Sequence, residues 1–275
     1  MEEMTRILLI MLGVLAASML LRRYQIRRAA RNIKKNHDNM AVEGFEYAPA
    51  SPESFPWLDL AYYDSVKQWW MGKTGFRWIG DVENVTVSRM FPKSRTFIRE
   101  FLNDDGTIAA GCYHVVVGGW MGFILKLMAP KFVNQKVCEF STEFTDGSIL
   151  TTSNAATIGH LTEIPGIFRQ LMAADTFPDE VLKLHVATLQ RLIEEKQIQP
   201  VVMLNADDIH AASNREQALK SRFRRKNKQL VAIETRKLAQ QSGMADTTEP
   251  VLKEIEKMNE DDKSTYTIRN NSGRE

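Results

Sequence analysis

The 275-residue chain has only two cysteines, Cys112 and Cys138, and lacks the short motifs that announce a chemistry. Without a CxxC pair there is neither a thiolate metal site nor a redox dithiol to organise the fold, and two lone cysteines in apparent strands read as buried, reduced side chains. The phosphate-loop pattern GxxxxGK is missing, as are GxGxxG, HExxH and GxSxG. The five histidines, His37, His114, His160, His185 and His210, show no ligand spacing. Nothing here points to a cofactor or a metal, and the sequence favours a binding protein over an enzyme. A lone helical histidine such as His185 reads as a partly exposed side chain.

Acidic residues are also missing where they would matter most. Between Leu21 and His37 there is no Asp or Glu, while Arg22, Arg23, Arg27, Arg28, Arg31, Lys34 and Lys35 follow one another. Before them lies the longest apolar run, Ile7 to Leu21, in which nine of fifteen residues are Leu, Ile or Val. As a helix, fifteen residues rise roughly 22 Å, short of a hydrocarbon core of about 30 Å. Arg6 and Arg22 can snorkel to the headgroups, and Tyr24 suits the interface. The reading is a single-pass transmembrane anchor with a basic juxtamembrane helix over residues 1–36. Cationic flanks stay in the cytosol, so the N-terminus is expected outside and the rest of the chain inside. The rival is a cleaved signal peptide with small residues at Ala16, Ala17 and Ser18, followed by export. Its charge order is wrong, because the positive charge follows the apolar run instead of preceding it.

The formal charge of +2 divides unevenly, since residues 1–35 hold eight cations against two acids and the remainder 28 against 32. Bulk charge therefore argues against nucleic acid as a partner of the main body, and Arg22, Arg23, Tyr24, Arg27 and Arg28 are read as contacts to bilayer and anionic headgroups. Residues 37–57, with Pro49, Pro52 and Pro56, read as a stiff linker. Residues 58–241 read as one α+β domain: an antiparallel sheet of four to six strands packed with helices. Its signals are a helix at 59–73 and strands at 75–81, 96–102, 107–117, 137–144 and 148–154, joined in part by the turns at Asp105-Gly106 and Asp146-Gly147. One sheet face reads as buried and the other as wet. Further on come a short helix at 167–174, a helix at 179–196, a strand at 200–204 and a long basic helix at 207–241. From 242 to 275 the polar, acidic composition reads as a disordered tail, apart from a helical turn around Val251 to Met258.

A second apolar peak at 115–130 is broken by Gly118, Gly119 and Gly122 and reads as core, with Trp120 and Phe123 as the residues that would touch a membrane if it dipped into one. The polar residues that strand ends and the following loop would gather into a pocket are Asp81, His114, Asn154, His160 and Glu163. The segments Gly75 to Asp81 (GFRWIGD) and Phe144 to Asn154 (FTDGSILTTSN), followed by the helix with His185, resemble a pattern in bacterial membrane-anchored proteins that have no known activity. The resemblance implies a shared α+β domain over residues 58–240 and transfers no catalytic residue. Together these readings give a binding or scaffolding domain at the cytosolic membrane surface. The alternatives are a lipid or apolar-ligand carrier lined by Phe97, Phe101 and Phe140, and a hydrolase or transferase acting on a membrane-bound substrate.

Overall fold

A computed structural model describes residues 2–39, 41–42, 44–90, 95–116, 134–155, 162–227, 230–241 and 248–260. The chain divides into two compact units, Ala41–Arg225 and the pair of segments Met1–Met40 and Lys226–Glu275.

The larger unit is built on one seven-stranded sheet whose spatial order follows the sequence: β1 (Tyr47–Pro49), β2 (Phe76–Asn84), β3 (Phe97–Asn103), β4 (Ala109–Val116), β5 (Asn134–Glu143), β6 (Ile149–Ser153) and β7 (Ile167–Leu171). The first six pair antiparallel and β7 runs parallel to β6. The sheet is thus mixed and larger than the four to six antiparallel strands expected. Two strands account for the difference. β7 occupies the place of the expected short helix, and β1 lies inside the expected linker, where Pro49, lacking an N–H, is tolerated at the sheet edge. The expected strand at 200–204 is reduced to a single bridge between Pro200 and Phe144.

Local chemistry explains the turns. Gly106 closes the β3–β4 hairpin at φ +70°, and a Cβ there would lie 2.4 Å from the Met203 carbonyl, so the turn and the close approach both require glycine. In β2 a bulge between Trp78 and Gly80 shifts the register. One extra residue moves Asp81 onto the face of Arg99, its partner across the ladder.

Both faces of the sheet are covered, which corrects the expectation of one wet face. The first face carries Phe97, Phe101, Cys112, Cys138, Phe140 and Leu150 and is packed by α2 (Leu60–Lys73) and α4 (Pro178–Lys196). A short helix, α3 (Val85–Met90), follows β2. Asp59 caps α2 by accepting from the Tyr62 N–H at 3.2 Å, and at the far end the Thr74 hydroxyl donates to the Trp70 carbonyl. Trp70 is fully buried, with its ring 4.7 Å from Phe101 and 5.2 Å from Phe140. Cys112 and Cys138 are free, buried and opposite each other in the ladder.

The second face lies under α5 (Ala206–Lys226). Residues on either side of position 43 bind this helix: the Ala41 carbonyl accepts from Ser221 and Arg225, the Val42 carbonyl from Gln217, and Asn214 both accepts from and donates to the Phe45 backbone. The first part of the expected linker is therefore docked.

The smaller unit is helical: α1 (Glu2–Asn39), α6 (Leu230–Gln241) and α7 over residues 248–260. Its core joins Ala30 and Ile33 of α1 to Val231 and Ala232 of α6 and to Val251, Ile255 and Met258 of α7. One expectation is corrected here and one extended. The helix expected over 207–241 ends at Lys226 and a new one begins at Leu230, and the helical turn expected around Val251 to Met258 is a helix over 248–260 with Ile255 fully buried. α1 contains the whole apolar run, yet no described helix is long and apolar enough to cross a membrane. Fifteen residues leave it roughly 8 Å short of the hydrocarbon core.

Replacing Trp70 with Ala is expected to lower the unfolding free energy of the chain by about 3–5 kcal/mol, because the indole fills the space between α2 and three phenylalanines. Equilibrium urea denaturation of the two proteins measures it, and a loss under about 1 kcal/mol would contradict this packing.

Candidate functional site

The expected polar pocket is dispersed. Asp81 is held by Arg99 in a two-pronged ion pair, Nε to Oδ1 at 2.8 Å and Nη2 to Oδ2 at 2.9 Å, and Arg99 also reaches Asp64 at 3.0 Å. The hydrogen bond to Asp81 holds the Arg99 guanidinium above even its usual high value. Asn154 acts as a clamp: its Oδ1 accepts from the Cys138 N–H at 2.8 Å, and its amide donates to the Lys136 and Thr176 carbonyls. Asp81 and Cys138 lie on one cross-ladder row, three strands or roughly 14 Å apart, so neither Asp81 nor Asn154 is free to approach the other. His114 is buried with its ring 5.8 Å from Trp57, and Glu163 is exposed. His160 lies outside the described residues, as do Trp120 and Phe123. The three phenylalanines proposed to line an apolar pocket, Phe97, Phe101 and Phe140, are fully buried against Tyr63, Trp70 and one another's neighbours.

Two polar networks that the sequence reading missed are buried instead. On the first face His185 of α4 is fully buried, not partly exposed, with Nδ1 2.9 Å from the Thr152 hydroxyl and Nε2 3.0 Å from that of Thr142. The Thr142 hydroxyl donates its one proton to the Thr107 carbonyl, so it accepts from His185, and Nε2 carries the ring proton. Thr152 then donates to Nδ1. Burial pushes the imidazole down to about 3, keeping it neutral.

On the second face the acids of alternate strand positions meet α5. Glu100 binds His210 at 3.0 Å, and His210 stacks on Tyr47 with ring centroids 4.2 Å apart. Glu143 takes both prongs of Arg215 at 2.5 Å, and Glu216 binds Lys220 at 2.6 Å and Thr151 at 3.3 Å. Glu139 lies among them, bonded to the Tyr113 phenol. Burial first, and then the Glu216 charge, raise its carboxyl well above the ordinary range. A charge match between Glu100, Glu139 and Glu143 on one side and His210, Arg215 and Lys220 on the other was present in the sequence as its only signal. These acids are engaged in holding α5 to the sheet.

Part of the second basic cluster is spent the same way, since Arg224 is buried and Arg225 donates to the Ala41 carbonyl. Arginines gather at a surface in the smaller unit. There, along α1, a shallow concavity of about 680 Å³ is lined by Leu20, Arg23, Tyr24, Arg27, Arg28, Arg31 and Asn32. It includes four of the residues read as membrane contacts. Arg22 is exposed but is not part of this lining. In the larger unit a groove of about 500 Å³ follows Asp64, Lys67, Gln68 and Met71 of α2, beside the exposed Trp78 that Lys67 covers at 3.5 Å. No group of three or more metal-ligating side chains occurs among the described residues. No family model matches the chain, and neither a curated protein nor a solved structure does.

The two titrating groups predict opposite pH dependences. His185 stays neutral in the fold down to about pH 3, whereas the unfolded chain takes up its proton near 6.5, so this part of the stability is lost as pH falls below 6.5, at about 1.4 kcal/mol per unit. Glu139 keeps its proton in the fold at pH values where the unfolded chain has released it. Its contribution is therefore present at low pH and lost as pH rises through the raised value. In urea denaturation across pH, His185→Gln flattens the acid slope and Glu139→Gln removes the loss toward neutral pH. Unchanged slopes in both variants would contradict the assignments.

Proposed function

We propose that this protein is a single-pass, membrane-anchored binding or scaffolding protein, with Ile7–Leu21 held in the bilayer and the seven-stranded unit on the cytosolic side. The observation that carries the reading is the end of the apolar run. Met19, Leu20 and Leu21 are 61, 69 and 58 % exposed. At about 100° per residue these three side chains point around most of the helix, so no single protein face would cover all of them, whereas lipid would.

The shortfall in length is a cost that the chain and the bilayer can offset. Arg6 and Arg22 extend their heads to the interfaces, and a bilayer thins locally around a short helix at a fraction of a kcal/mol per Å. The run of cations after Leu21 supports an inward orientation. A binding role is favoured over catalysis because the buried acids and histidines pair internally, while the α2 groove with Met71 and Trp78 offers an exposed contact surface.

Placing arginine at Val14 and Leu15, the middle of the run, should cost insertion about 5–7 kcal/mol. After carbonate extraction of cell membranes the native chain is expected in the pellet and the Val14→Arg, Leu15→Arg variant in the supernatant. Retention of the variant in the pellet would refute the anchor.

A further inference from the structure

We infer that the α1 concavity is a binding site for one anionic phospholipid whose headgroup carries two phosphates. This inference rests on the membrane reading and specifies the partner of that surface. Its lining falls into two adjacent helical rows, Leu20-Tyr24-Arg28-Asn32 and Arg23-Arg27-Arg31, each stepping by four residues. The four guanidiniums thus point to one side of the helix, and a guanidinium fork pairs with phosphate oxygens two at a time. One phosphate does not occupy four such forks. The space along this side of the helix, about 680 Å³, leaves room for a headgroup between the two rows.

Depth selects lipid over other polyanions. Measured along the helix from Leu21, Arg23 and Arg27 lie roughly 3 and 9 Å beyond the apolar run, and Arg31 roughly 15 Å. A headgroup layer is about 5–8 Å thick on each side of the hydrocarbon. Helical side chains lean toward the N-terminus, here toward the membrane, which brings Arg27 and Arg28 back into that layer and Arg31 to its outer edge. Tyr24, exposed at its edge, is an interfacial residue by type. Leu20 supplies the apolar rim for the first acyl carbons.

The site already accepts an anionic oxygen. Glu254 of α7 lies with Oε1 3.1 Å from Arg27 Nε, and the Arg27 side chain remains 40 % exposed. A headgroup phosphate would compete with that carboxylate for Arg27, so removing the carboxylate should strengthen lipid binding.

The test is a titration of the full-length chain in neutral detergent with cardiolipin or with phosphatidylglycerol at matched phosphate content, read by native mass spectrometry. One cardiolipin is expected per chain, preferred over phosphatidylglycerol by ~10-fold or more, as two further charge-assisted contacts imply. Arg23→Gln, Arg27→Gln, Arg31→Gln together should erase the preference. Glu254→Gln, which leaves the arginines in place, should tighten cardiolipin by a few-fold and so keeps the idea testable if the triple variant folds poorly. Equal binding of the two lipids, or a Glu254→Gln variant that binds more weakly, would overturn the site. Displacement of cardiolipin by a short single-stranded oligonucleotide at equal concentration would assign the arginines to nucleic acid and overturn it too. Failure of the membrane reading shows separately, as a native chain that does not remain in phosphatidylcholine nanodiscs.

Discussion

A sheet covered on both faces forces every strand to satisfy two partners at once, and the larger unit depends on how that constraint is met. On the first face the demand is for shape. Trp70, Tyr63, Phe97, Phe101 and Phe140 interlock edge to face, and a residue displaced by one position would exchange this surface for the other. On the second face the demand is for charge. Glu100 and Glu143 of the strands meet an imidazole and a guanidinium of α5, and a one-residue slip would bury them unpaired. Apolar burial supplies the stability, because buried ion pairs roughly offset their own desolvation. The paired charges fix register and the identity of the covering helix.

The division has a functional consequence. Groups that would look catalytic in isolation, an Asp beside an Arg, a His between two hydroxyls, a Glu with a raised pKa, all have structural work that their geometry explains. In the smaller unit, by contrast, three helices share only a small core around Ala30, Val231, Ala232 and Ile255, and the arginines of α1 remain at the surface. Among the described residues, exposed arginines cluster where α1 leaves the apolar run.

Period-two alternation made most of the framework legible. Phe97, Arg99 and Phe101 against Ile98, Glu100 and Leu102 was readable directly, as were the two Asp-Gly turns and the helix begun by Pro178. Four features were not. Ile167–Leu171 is short and carries Arg169 and Gln170, which suit a helix as well as a strand, and only the parallel pairing with β6 decides it. Tyr47–Pro49 is a strand because α5 and β2 hold it, contacts made with residues more than thirty positions away. The break at 226–230 contains no proline or glycine, and the full length of the helix at 248–260, of which only a turn around Val251 to Met258 was readable, depends on Ala30 and Ile33, far away in sequence. For the candidate site the limit was similar. Glu139 and Glu143 looked solvated because their partners sit some seventy residues further on, whereas the arginine rows of α1 repeat locally and could be read from spacing alone.

The measurement that tests the central claim most directly is labelling of a Ser51→Cys variant with an impermeant maleimide in intact cells. Ser51 is exposed, whereas Cys112 and Cys138 are fully buried, with burial pushing the Cys138 thiol up to about 12, so the native thiols stay silent and need not be replaced. A membrane-held chain with its body in the cytosol predicts no labelling until the cells are opened, on a protein of full length in the membrane fraction. Labelling of intact cells, or a chain shortened at its N-terminus, would contradict the account.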